Sequence, residues 1–120
     1  MDLQTAVKGI ASVRERIVDS WELPNPLSDA ANKMALYNAY LGDHLGQLEY
    51  DREVTKGEKY NQYLNTGMSA TGADTRSRAD VAELTGKIKK FNLMHSDAAN
   101  QISIIQSRLR VLESNRRNET

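Results

Sequence analysis

The sequence predicts an all-α protein: a long antiparallel helical hairpin, coiled-coil-like, with a shorter N-terminal helix, assembling into an oligomeric bundle. Two observations carry that expectation. Residues Val81, Leu84, Ile88, Phe91, His95, Ala98, Ile102, Ile105, Leu109, Leu112 and Arg116 follow one another at alternating steps of three and four, the repeat of a coiled-coil seam. The chain of 120 residues holds two prolines and 27% charged residues, the composition of long helices with much solvated surface.

The elements follow in order within a single expected domain, 1–120. Leu3, Val7, Ile10, Val13, Ile17 and Trp21 form an apolar stripe at helical spacing, so a helix is expected over 2–22 with Asp2 as its cap. Pro24 and Pro26 are read as ending it, leaving a rigid linker over 23–27. Ser28 and Asp29 then offer a fresh cap for a second helix over 28–64. Gly42 and Gly46 sit four apart inside it; each costs about 1 kcal/mol against alanine, and close approach of another helix is the simplest reason for them, a kink the other. Residues 65–75 are dominated by Gly, Ser, Thr, Asn and Asp and are read as a turn. The heptad helix fills 76–114, and the polar tail beyond Ser114 is expected to fray. Leu36, Tyr40, Tyr50 and Ile104 fall outside the hairpin seam. The short first helix covers only part of the hairpin, so a second copy of the chain is expected to cover the rest.

Composition excludes several classes. Sixteen Lys and Arg balance sixteen Asp and Glu, which argues against both a uniformly basic nucleic-acid coat and an acidic nucleic-acid mimic. There is no cysteine, hence no disulfide, thiolate metal site or cysteine nucleophile. No apolar run reaches membrane-spanning length. The segment Met1–Ala6 lacks the basic start and apolar run of a signal peptide, so a cytoplasmic location is expected.

Four constellations are candidates for chemistry. Folding the hairpin about residue 71 places His44 and His95 within about one helical turn, with Asp43, Glu49 and Asp97 near in sequence. That geometry permits a metal site, but the Glu-x-x-His spacing of helical carboxylate sites is missing, and a polar layer that fixes register is the preferred reading. No metal or other cofactor is expected. His95-Ser96-Asp97 has the letters of a hydrolase triad, but consecutive helical residues diverge by about 100° and cannot form a relay, so no enzyme is expected. The last helix is basic: Arg76, Arg78, Lys87, Lys89 and Lys90 stand against Asp80 and Glu83, and Arg108, Arg110, Arg116 and Arg117 against Glu113 and Glu119. The second is acidic, with Asp29, Asp43, Glu49, Asp51 and Glu53 against Lys33 and Arg52. The two helices either neutralise each other across the hairpin or present Arg76, Arg78, Lys87, Lys89, Lys90, Arg108 and Arg110 as a nucleic-acid-binding face. Finally, five tyrosines lie between Tyr37 and Tyr63. Tyrosine suits both helix packing and interfaces, and Trp21, Tyr37, Tyr40 and Tyr50 are the candidates for partner binding or self-association.

Lys33-Met34-Ala35-Leu36-Tyr37-Asn38-Ala39-Tyr40-Leu41-Gly42, and the run from His95 to Arg108, resemble small helical accessory proteins of bacteriophages that infect Gram-positive bacteria. The similarity covers most of residues 28–113. It implies a phage protein working in the host cytoplasm, among DNA-metabolism functions, and carries over no catalytic residue. The resulting expectation is a non-enzymatic protein that binds DNA or a DNA-bound replication or recombination partner. The alternative is an inhibitor that occludes a host defence protein through its tyrosine-bearing helix.

Overall fold

The computed structural model describes residues 1–119; Thr120, the last residue of the expected domain, lies outside them. The described residues form four helices: α1 (Leu3–Ser20), α2 (Pro24–Asn65), α3 (Ala70–Asp80) and α4 (Ala82–Glu119). The fold is all-α, as the heptad pattern requires. The chain gathers into two compact units, residues 1–43 with 93–119, and residues 44–92. No helix among the described residues is long and apolar enough to cross a membrane.

Unit 1 packs α1 with the first half of α2 and the later part of α4. Asp2 caps α1, its carboxylate accepting from the Thr5 amide at 2.7 Å. Of the expected stripe, Ile10 and Val13 are buried and Leu3, Val7, Ile17 and Trp21 half-buried; Ala6 beside it is buried too, and Ile17 and Trp21 pack, with Leu109 and Leu112, on a cluster of Leu27, Ala31 and Ile105.

The prolines do not form a linker. Pro24 and Pro26 lie in the first turn of α2, whose first four amides have no partner inside the helix. A proline there forfeits no hydrogen bond and brings a helical φ ready-made. The first amide that the helix needs is that of Leu27, and it donates to the Leu23 carbonyl at 3.0 Å. Ser28 and Asp29 are therefore inside α2 rather than at its cap, and Asp29 pairs with Lys33 one turn on at 3.1 Å.

Unit 2 is built from the rest of α2, from α3, and from the start of α4. α2 ends in a Schellman motif: Gly67 has φ +90°, the Met68 amide donates to the Tyr63 carbonyl at 3.1 Å, and that of Gly67 donates to Leu64 at 3.0 Å. The turn is much shorter than 65–75. Ser69 caps α3, its hydroxyl accepting from the Gly72 amide at 3.1 Å, and helix resumes at once. Poor helix formers hold that conformation because Ala73 and Ser77, one turn apart, are buried. The expected helix 76–114 is interrupted at Val81, whose φ of −106° and ψ of 11° close α3. α4 then continues to Glu119, past the Ser114 where fraying was expected.

Every heptad position from Val81 to Leu112 is buried or half-buried. α2 carries a matching seam at Leu27, Ala31, Met34, Asn38, Leu41, Leu45, Leu48, Arg52, Thr55 and Lys59, again in steps of four and three and again buried or half-buried. Tyr40 is half-buried, while Leu36, Tyr50 and Ile104 are exposed.

The two glycines expected to allow close approach part company. A Cβ on Gly42 would stand 3.1 Å from Cε1 of His95, whereas one on Gly46 would meet nothing within 4 Å. Gly9 is the tighter position: the Tyr37 ring lies 2.5 Å from where its Cβ would be. Gly9→Ala is expected to destabilise the protein by about 1–3 kcal/mol through overpacking. Gly46→Ala and Gly57→Ala, in helix with open space around them, are expected to stabilise by about 0.5–1 kcal/mol each. Urea unfolding monitored by circular dichroism measures both signs.

Candidate functional site

The two histidines fall in different units. His95 does form a polar layer in the seam of unit 1, and its partner is Asn38. The Asn38 amide nitrogen donates to the His95 carbonyl at 3.1 Å, and its oxygen lies 2.8 Å from His95 Nδ1. An amide oxygen can only accept, so Nδ1 carries the proton. Asn38 is buried, and Gly42 one turn along α2 leaves room for the imidazole. His44 is half-buried. Among the described residues no three His, Asp or Glu side chains gather closely enough to hold a metal ion.

Arg108, expected among the nucleic-acid-binding residues, is committed elsewhere. Its Nε donates to the Trp21 carbonyl at 3.1 Å, its Nη2 pairs with Glu22 at 2.7 Å, and its guanidinium lies 5.3 Å from the Trp21 ring centre. The side chain is only 19% exposed. It closes the end of α1 and stacks on an aromatic face, a task suited to a planar cation. Trp21 is correspondingly half-buried, in contact with Arg108 and the apolar cluster. Tyr37 spends its ring on Gly9. Both side chains are thus taken up by packing inside the chain, while Tyr50 stands 66% exposed.

Arg76 is exposed, with its guanidinium 5.3 Å from the centre of the Tyr63 ring. The Tyr63 hydroxyl donates to the Asp80 carboxylate at the end of α3. That hydrogen bond, with desolvation and the carboxylate's charge, holds the Tyr63 phenol above its ordinary pKa of 10.0, and Arg76 offsets part of the rise.

The remaining cations face outward. Lys87, Lys89, Lys90 and Arg110 are exposed on α4. Arg78 lines an open groove of about 510 Å³ in unit 2, together with Arg52, Glu53 and Lys56 of α2, Val81 between the helices, and Ala82 and Thr85 of α4. Three cations from two helices thus converge on one groove. Arg52 is paired with its neighbour Glu53 at 3.3 Å, and Arg78 with Asp74 of its own helix at 3.1 Å. These pairs are exposed for the most part, and such pairs yield readily to another anion. Lys89 lies one turn beyond Thr85 on the same side of α4. Arg52 and Lys56 escape a reading of the sequence by stretches, because they sit in the acidic helix. They would have been found by laying the charges of α2 on its own heptad, where Arg52 occupies a seam position and Lys56 follows one turn on.

No family model, no curated protein and no solved structure matches the chain.

Two outcomes follow from these contacts. Asn38→Ala, which leaves the His95 ring donor without its acceptor, is expected to cost about 1–3 kcal/mol, read by urea unfolding. In a spectrophotometric titration, Tyr63→Phe is expected to remove a phenol that ionises above pH 10.0. Because the folded-state pKa is the higher one, Tyr63 stabilises the fold below the unfolded phenol's pKa, and the contribution disappears as pH rises through the folded value.

Proposed function

We propose that this chain is a non-enzymatic protein that binds the phosphate backbone of nucleic acid through unit 2. The observation that carries the reading is the groove in which Arg52, Lys56 and Arg78 converge beside Thr85. A phosphodiester needs what the groove offers: positive charge from more than one direction, a planar guanidinium to fork two oxygens, and a hydroxyl donor. Lys87, Lys89 and Lys90 extend the positive surface along α4. The groove lining contains no aromatic side chain, so it supplies charge rather than a stacking platform, and little base preference is expected. A balanced net charge is no obstacle: unit 2 holds eight Lys and Arg against seven Asp and Glu, but three of those cations gather at one groove with a single carboxylate, that of Glu53.

Fluorescence anisotropy with a labelled duplex, over a series of salt concentrations, tests this. Affinity should fall linearly on a log–log scale as salt rises. Lys56→Ala with Arg78→Ala should weaken binding at every salt and make the slope shallower by roughly 2, about one for each phosphate no longer neutralised. Lys87→Ala, Lys89→Ala and Lys90→Ala together should act in the same direction. Arg108→Ala should leave the slope unchanged, since that guanidinium is held by Glu22 and Trp21. An unchanged affinity and slope in the Lys56/Arg78 variant would overturn the assignment.

A further inference from the structure

In unit 1, α1 and α4 run side by side in the same direction, since Arg14 reaches Asp97 and Gln101 while Glu22 and Trp21 are reached by Arg108. Between those two levels the surface is mainly aliphatic, with Ser103 and Ser107 at its edge. Val18 is 78% exposed and Ile104 55% exposed. Ile104 is shared by two shallow grooves, one of about 210 Å³ with Arg14, Ile17, Val18 and Gln101, the other of about 410 Å³ with Trp21, Ser107, Arg108 and Val111. An aliphatic patch of this kind, ringed by polar groups, marks an interaction surface.

The charges around the patch say what fits it. At one level Arg14 of α1 faces Asp97 of α4 at 2.9 Å. At the other, Glu22 just past α1 faces Arg108 of α4 at 2.7 Å. The two levels are separated by about 16 Å along α4. The four corners therefore alternate in sign, plus and minus at one end, minus and plus at the other. A surface with this pattern is complementary to itself. Turned over by a two-fold axis along the helices, Arg14 meets the Asp97 of a second copy and Glu22 meets its Arg108. Turned over by an axis across the helices, Arg14 meets the second copy's Glu22 and Asp97 its Arg108. In both arrangements every corner charge faces its opposite, and the apolar centres meet. A partner of uniform charge would meet like charge at two corners, which is costly at an interface.

We infer that the α1–α4 face of unit 1 is an isologous interface covered by a second copy of this chain. Such closed two-fold pairing is the commonest form of homo-oligomer. The inference is independent of nucleic-acid binding, since the face lies in unit 1 and its occupancy is read from mass alone.

Sedimentation equilibrium of the full chain without nucleic acid, across a wide concentration series, provides the test. The chain should sediment as two copies. Ile104→Glu should sediment as one copy, with helix content unchanged because the side chain is more than half exposed. Glu22→Arg places two cations at one end of the face and should raise the dimer dissociation constant about tenfold or more. A wild-type chain that stays single at every concentration would overturn the inference and leave the face to another occupant. An Ile104→Glu chain that still pairs, or a Glu22→Arg chain with an unaltered dissociation constant, would equally overturn it by placing the contact elsewhere.

Discussion

The packing of unit 1 depends on one polar contact within an otherwise apolar seam, the two-point hydrogen bond between the Asn38 side chain and His95. Leu, Ile, Met and Ala side chains pack almost as well when one helix slides along another by a heptad. A buried amide does not, because any other register strands its donor and acceptor. Asn38 finds its partner in His95, and the His95 ring packs so closely on Gly42 that a Cβ there would stand 3.1 Å from it. Together the three residues fix α2 against α4 in this unit. That register sets the level at which the rest of α4 is offered to α1, with Asp97 before Arg14 and Arg108 before Trp21.

Much of the architecture was legible because α4 writes its seam in apolar letters. From Val81 to Leu112 the heptad could be read without any knowledge of its partner, and those positions are the ones withdrawn from solvent. The seam of α2 was hidden by its own chemistry. It carries Asn38, Arg52, Thr55 and Lys59, polar side chains that are nonetheless buried or half-buried at seam positions. The prolines misled for a different reason. Proline forbids the interior of a helix but suits its first turn, and only the partner of the Leu27 amide separates the two cases. In α3, individually weak helix formers obey a serine cap and two small buried residues, an instance of packing overriding propensity.

The functional surface was less legible, because charge patterns run along the chain while a binding face is assembled across it. Arg108 resembles its exposed neighbour Arg110 in sequence, yet it is committed to Trp21 and Glu22, 87 and 86 residues earlier. Arg52 and Lys56 look like minor exceptions in an acidic stretch, yet they join Arg78 in one groove. Gly9 is a lone glycine in a regular stripe, and its reason is the ring of Tyr37. In each case the deciding partner is remote in sequence, and no local pattern announces it.

The two units differ in how the chain supplies them. Residues 44–92 are contiguous, whereas unit 1 joins the two ends of the chain, 1–43 and 93–119. During synthesis the contiguous unit has all its partners in hand early, and its contacts close short loops. The apolar stripe of α1 is made before that unit, and its Ile17 and Trp21 meet Ile105 only after it. Until residues 93–119 are made, that stripe is covered on its α2 side alone, by Tyr37, Leu27 and Ala31, and the side left open is the sort of surface that chaperones hold. Residues 93–119 therefore complete the cover of α1, and a chain cut short before Leu93 would leave that side of the stripe exposed permanently.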